Sequence, residues 1–318
     1  MTLTRRTTLG GAFGLAGLAL STGAARAQQV PKEFRVGYQK GGILSVAKDQ
    51  SALEQRLKAL GIEGVKWVEF QFGPPLLEAL GLGAIDFGTV GDTPPIFAQA
   101  AGAKVVYAAV TPASQSALLV PEGSPIRTLA DIKGKKIAFA RGSSAHNFTV
   151  QLLAKAGLAY TDIVPAYLTP SDAVAAFSRG SVDAWVVWDP YFALAERRQK
   201  ARVVATTKDV ADSNSFYLAN SDFAAKYPQV LVAVIDELTK VTAWAAQNRD
   251  KLAAAISAVT GVELEAQRIA VDRADIAVRA ITPAVIAQQQ EIADAFLKLG
   301  LIPKPIVVRD AIWSPPGA

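Results

Sequence analysis

Short apolar runs alternate along the chain with longer stretches whose apolar positions recur at helical spacing. Residues 34–38 read as a strand, and 42–60 places Leu44, Leu53, Leu57 and Leu60 along a helix. Residues 65–72 read as the next strand, 75–82 as a short helix and 85–90 as a third strand. A helix over 94–101 carries Pro near its first position, where a missing N–H costs least. A strand at 105–110 completes the run. The pattern then restarts with a strand at 116–120, a turn and strand over 133–139, and a helix at 144–156 that buries Phe148, Leu152 and Leu153. Strands at 164–168 and 182–187 flank a helix at 172–178, and 203–205 closes the run. After Ser213 the composition reads as helical to the end, at 230–247, 250–259, 264–271 and 283–299.

Strands alternating with helices predict an α/β protein with mostly parallel sheets and ligands at the carboxyl ends of the strands. Two similar runs and a helical return predict two α/β lobes, 28–112 with 216–318 and 113–215. Residues 1–27 stand apart from this pattern. Arg5 and Arg6 precede an apolar stretch from 12 to 20 that is too short to span a bilayer, and Ala25-Arg26-Ala27 resembles a small-residue cleavage site. This is the layout of a twin-arginine export signal, with a mature chain starting at Gln28 and residing, unanchored, in a periplasm.

Composition narrows the functions. The 318 residues include no cysteine, which excludes a disulfide framework, a cysteine nucleophile and a lipobox. The formal charge of +5 includes Arg5, Arg6 and Arg26, leaving 30 basic against 28 acidic residues after position 27. No basic run or aromatic interleaving supports nucleic-acid binding. One histidine and no cysteine cannot form a structural zinc site, and no cofactor fingerprint is present. Ser144 and His146 are two apart at a helix start, so their side chains diverge, and no nucleophile elbow occurs. An exported hydrolase is the weaker reading.

Two stretches carry candidate chemistry. Gly91-Asp92-Thr93-Pro94-Pro95 and Gly142-Ser143-Ser144-Ala145-His146-Asn147 each read as a strand end, a small-residue turn and a helix start. Such a turn offers free N–H groups and the positive end of a helix dipole to an anion, without requiring a cation. Simple N-capping explains either turn equally well when it is taken alone. Gln39-Lys40-Gly41-Gly42 follows the first strand, where the Gln39 amide can reach across a cleft and Lys40 reads as a loop lysine. His146 fits either a neutral structural ring or a ligand contact. Trp185 reads as core, whereas Trp188 and Asp189 fall at a strand's end, where either a packing role or a ligand contact fits. Thr169-Pro170-Ser171-Asp172 reads as a turn and helix cap.

Taken in order, several segments resemble periplasmic aliphatic-sulfonate-binding proteins. They are Val36-Gly37-Tyr38-Gln39-Lys40-Gly41, Asp86-Phe87-Gly88 with the Gly91 turn, and the Gly142 turn. Tyr167-Leu168-Thr169-Pro170, Val182-Asp183-Ala184-Trp185 with Trp188-Asp189-Pro190-Tyr191, Ser215-Phe216-Tyr217-Leu218 and Ile312-Trp313 continue the likeness over nearly all of the mature chain. The resemblance implies a type II periplasmic binding fold whose two lobes close on ligand, acting as a monomer without a cofactor. It implies delivery to the membrane permease and ATPase of an ABC importer. It places a sulfonate among Gln39, Gly91, Asp92, Thr93, Gly142, Ser143 and Ser144, with Trp188 and Asp189 toward the carbon tail and His146 as a further candidate. Taurine, nitrate, sulfate esters and a thiamin pyrimidine precursor are alternative ligands. A desulfinase of the same fold uses a cysteine nucleophile, which this chain lacks.

Overall fold

In the computed structural model, which describes residues 30–210 and 213–316, the strands form two five-stranded sheets. The first four strands are β1 (Glu33–Tyr38), β2 (Gly64–Glu69), β3 (Phe87–Gly91) and β4 (Val105–Pro112). Next come β5 (Ser116–Val120), β6 (Lys136–Phe139), β7 (Val164–Tyr167), β8 (Ala184–Trp188), β9 (Arg202–Thr206) and β10 (Asn214–Asn220). One five-stranded sheet runs β2-β1-β3-β10-β4 and the other runs β7-β6-β8-β5-β9. Residues 113–115 lead from β4 of the first sheet to β5 of the second, and the chain returns between β9 and β10.

Both faces of each sheet are covered, so the central strands are apolar at successive positions. On β10, Tyr217 and Ala219 enter one core while Phe216 and Leu218 enter the other. The first core lies under α1 (Ile43–Asp49), α2 (Ala52–Lys58), α9 (Pro228–Gln247) and α10 (Arg249–Thr260). The second lies under α3 (Gly73–Gly81), α4 (Thr93–Ala100) and α12 (Pro283–Lys298). In the other sheet, Ala184 and Val186 of β8 face α5 (Ser144–Lys155), whereas Trp185 and Val187 face α6 (Pro170–Ser178) and α7 (Tyr191–Gln199). Helices α8 (Ser221–Lys226) and α11 (Leu264–Arg273) complete the set. Asn220 caps α8, its side chain accepting from the N–H groups of Asp222 and Phe223, and Thr169 caps α6 through the N–H of Asp172.

The fold corrects three expectations. The helix expected over 42–60 is two helices, because Ser51 is left-handed at φ 50° and turns the chain. The break lets α1 pack on α10 and α2 on α9. The stretch after Ser213 does not turn helical at once: β10 inserts antiparallel between β3 and β4. The sheets are evenly mixed rather than mostly parallel, since β5 also runs antiparallel to both of its neighbours, β8 and β9. Helix α7 is a further element that apolar spacing did not reveal, since its second half, Glu196-Arg197-Arg198-Gln199, is polar. The proposed leader at 1–27 lies outside the described residues.

Candidate functional site

The carboxyl ends of the strands converge on one cleft, lined from both sheets and by α10 and α11. The end of β1 delivers Gln39 and Lys40, β3 delivers Gly91 and Asp92, the turn after β6 delivers Ser143 and Ser144, and β8 ends in Trp188 and Asp189.

Helix α5 begins with the best donors. Gly142 is left-handed at φ 70°, which reverses the chain after β6, and Ser143 is the extended N-cap residue. The Ser143 N–H donates to the Ala140 carbonyl at 3.2 Å and its hydroxyl donates to the same oxygen at 2.7 Å. Among the described residues the N–H groups of Ser144 and Ala145 have no acceptor. They sit at the positive end of a twelve-residue helix, where an anion is stabilised.

The Gly91 turn faces this helix start. A Cβ on Gly91 would lie 2.8 Å from Ser144 Cβ, so the two turns approach within van der Waals contact only because position 91 has no side chain. Asp92 is 2% exposed; its Oδ1 accepts from Thr93 Oγ1 at 2.8 Å and its Oδ2 accepts from Asn147 Nδ2 at 2.8 Å. Burial pushes the Asp92 carboxyl up to about 6, against the opposing effect of the Thr93 and Asn147 hydrogen bonds. Pro94 and Pro95 have no N–H, so α4 offers fewer amides than α5.

Not every expected residue reaches the cleft. Gln39, Gly91, Asp92, Ser143, Ser144, Trp188 and Asp189 line it. Thr93 is fully buried beneath it, bonded to Asp92, and Gly142 sits behind the turn against the Phe97 ring. His146 is the clearest correction. It is fully buried, its Nδ1 accepts from the Gly142 N–H at 3.2 Å, and its Nε2 is 2.7 Å from the Tyr160 hydroxyl. Phe139 and Phe296 close over the ring, each with its centroid 5.0 Å away. Burial, and secondarily the Arg141 charge, lower His146 to about 4, so the ring is neutral and structural. Lys40 is in the lining, but its Nζ is committed to Glu69 at 2.9 Å and to the Thr260 carbonyl at 3.0 Å.

Asp189, 6% exposed, lines the cleft at the end of β8, the strand beside β6. Its Oδ1 accepts from the Ala193 N–H at 3.1 Å and from Arg273 at 3.4 Å, while Oδ2 is buried without a partner. Burial raises Asp189 to about 6, with the Arg273 charge acting the other way. Gln71, Gln151 and Gln267 also line the cleft. Sequence reasoning missed them because an isolated glutamine has no spacing signature, and Gln267 arrives from α11, far along the chain.

Two mixed α/β sheets, joined by two connections and holding a cleft at their strand ends, define the type II periplasmic-binding fold. The NMT1/THI5-like family model matches residues 67–252, and the chain belongs to that family. It is 42% identical over 306 residues to an aliphatic sulfonates-binding protein of Escherichia coli K12, covering 95% of both chains. The crystal structure of the periplasmic aliphatic sulphonate-binding protein SsuA from Escherichia coli superposes with a TM-score of 0.79 at 40% identity, covering 90% of this chain and 93% of that one. The alkanesulfonate-binding protein SsuA from Xanthomonas axonopodis pv. citri, bound to MOPS, gives a TM-score of 0.82 at 38% identity, with 89% and 98% covered.

Proposed function

We propose that this protein is a periplasmic receptor that captures alkanesulfonates between two lobes, 28–112 with 216–318 and 113–215, and presents them as a monomer to the permease and ATPase of an ABC importer. Strand β10 starts at Asn214, two residues before the boundary drawn from sequence. The observation that carries the reading is the start of α5 at the cleft, where among the described residues the Ser144 N–H has no acceptor and the lining lysine, Lys40, is already paired with Glu69. A sulfonate is ionised at every physiological pH and only accepts hydrogen bonds, so neutral donors at a helix start suit it. The Escherichia coli and Xanthomonas relatives, 42% and 38% identical and named for the same ligand class, support the assignment. Closure follows because only the closed form lets both sides of the cleft contact one anion.

Binding without turnover is the consistent chemistry. The one histidine has both ring nitrogens engaged away from Ser144, which leaves that hydroxyl without a histidine base. Among the described residues no helix is long and apolar enough to cross a membrane. Taurine is the second reading, favoured by the buried, unpartnered Asp189 Oδ2, which an ammonium group would satisfy after a small rearrangement. The deciding measurement is the melting temperature with ethanesulfonate, longer alkanesulfonates, taurine, sulfate and nitrate. A ligand at about 100 times its dissociation constant adds roughly 2.7 kcal/mol of stability. Alkanesulfonates should shift the transition. A flat sulfonate series beside a response to nitrate or sulfate overturns the ligand class.

A further inference from the structure

A buried carboxylate is an unexpected lining for an anion site. Asp92 ends the β3 turn, lines the cleft and is held on every side by neutral groups. Thr93 and Asn147 donate to its two carboxylate oxygens, and Gln289 Nε2 donates to its backbone carbonyl at 2.6 Å and to the Tyr107 hydroxyl at 3.1 Å. Among the described residues no Lys or Arg forms an ion pair with it. The cations around the cleft are committed elsewhere: Lys40 to Glu69, Arg273 to Asp189 and Glu196, and Arg279 to Asp275. Asp92 is also the N-cap residue of α4, but its side chain makes no cap bond there, and Pro94 and Pro95 leave that helix start few N–H groups. An anion entering the cleft therefore meets the unclaimed start of α5 and, in Asp92, a carboxylate with no cation paired to it.

We infer that Asp92 sets the charge class of the ligand, admitting monoanions and rejecting dianions. The inference rests on the cleft being an anion site and states which anions it takes. Repulsion from the carboxylate and attraction to the α5 start both scale with ligand charge, and a full carboxylate charge outweighs the about half charge of a helix end, so a dianion loses more than a monoanion. A sulfonate and sulfate present similar tetrahedral oxygens, so shape separates them poorly and charge separates them well. The Asn147 bond, reaching over from α5, fixes the carboxylate in place next to the anion's helix. Fixed like-charge groups are an effective way to exclude a competitor.

The test is calorimetric titration of the purified protein and Asp92→Asn with ethanesulfonate and with sulfate, at pH 7.5 and constant ionic strength. Asn keeps the volume and lets the amide serve Asn147 and Thr93 after a flip. The wild type should favour ethanesulfonate by about 100-fold or more, and the variant should cut that ratio by about tenfold or more, chiefly by binding sulfate more tightly. A folded variant whose ratio stays within about twofold of wild type overturns the inference. A second measurement serves if Asp92→Asn does not fold. Both ligands keep their charge between pH 5 and 7.5, while Asp92 takes up a proton near 6. Thr93, Asn147, Gln289 and Tyr107, which pack on Asp92, stay neutral in that range. Asp189, beside Arg273 and Glu196, also titrates there, so the series is run in Asp189→Asn. The ratio should narrow toward pH 5; a flat ratio overturns the inference. If ethanesulfonate does not bind wild type at all, the receptor reading falls too, whereas binding with an unmoved ratio removes only the role of Asp92.

Discussion

His146 shows how one buried group ties local chemistry to stability. Its Nδ1 must stay unprotonated to accept the Gly142 N–H, and the surrounding rings bury it away from solvent, where a charge is costly. The folded value near 4 lies below the ordinary 6.5, so the unfolded chain binds more protons between these values. Stability therefore rises with pH across that window and is lost as pH falls through it, by about 3 kcal/mol in full. Denaturant unfolding of wild type and His146→Phe from pH 4 to 7 should show the gap widening with pH, because Asp92 and Asp189, which slope the other way, are common to both. Parallel curves would remove His146 from the account. Ser144 makes the complementary case at the ligand. Replacing it by Ala should weaken ethanesulfonate binding by about 1–3 kcal/mol through loss of a hydrogen bond to a charged group, read by titration. Unchanged affinity would place the anion elsewhere. Thr93→Ala acts one step back, by freeing an oxygen of Asp92 rather than by losing a ligand contact.

Between elements, the decisive contact is the approach of the β3–α4 turn to the start of α5. Gly91→Ala forces a Cβ against Ser144 Cβ and Oγ at 2.8 and 2.9 Å, and Ser144 backbone follows directly behind. The two turns must separate, at a strain of about 1–3 kcal/mol, so ligand affinity should fall about tenfold or more in titration. An affinity equal to wild type would show that the turns need not meet. The elements themselves were largely legible: the strand at 116–120 and the helix starting at Ser144 stand as expected, because the apolar run of one and the apolar spacing and Gly142 turn of the other are local. The break at Ser51 was not legible, since the apolar spacing of Leu53 and Leu57 continues across it. Strand β10 hid for a related reason. Its seven residues, Asn-Ser-Phe-Tyr-Leu-Ala-Asn, look strand-like only once β3 and β4 stand on either side to pair with them.

At the scale of the molecule, a second seam joins the two sheets through α7 and α11. Arg273 bonds Asp189 and Glu196 and stacks 3.9 Å over the Phe192 ring, while Glu263 takes Arg197 at 2.8 Å and Arg198 at 3.1 Å. Ala193, Val262 and Ala266 fill the space beneath. Arg273→Met strands a buried carboxylate and should lower stability by about 2 kcal/mol at neutral pH. The loss should grow as pH rises through about 6, because below that Asp189 is neutral and misses its partner less. Thermal unfolding at pH 5 and 7.5 checks this, and equal losses at both would assign the effect to packing on Phe192 alone.

The sequence by itself determined the alternation of strands and helices, the two strand-end turns and the absence of cysteine chemistry, because each is set by neighbours within a few residues. Only the tertiary structure decided which groups face the cleft. It placed His146 behind the site, bound up Lys40 with Glu69, brought Gln267 in from α11, and left Asp92 with neutral partners and no cation. Those outcomes depend on residues tens to hundreds of positions apart, and burial and pairing are properties that a side chain acquires only when the chain folds around it.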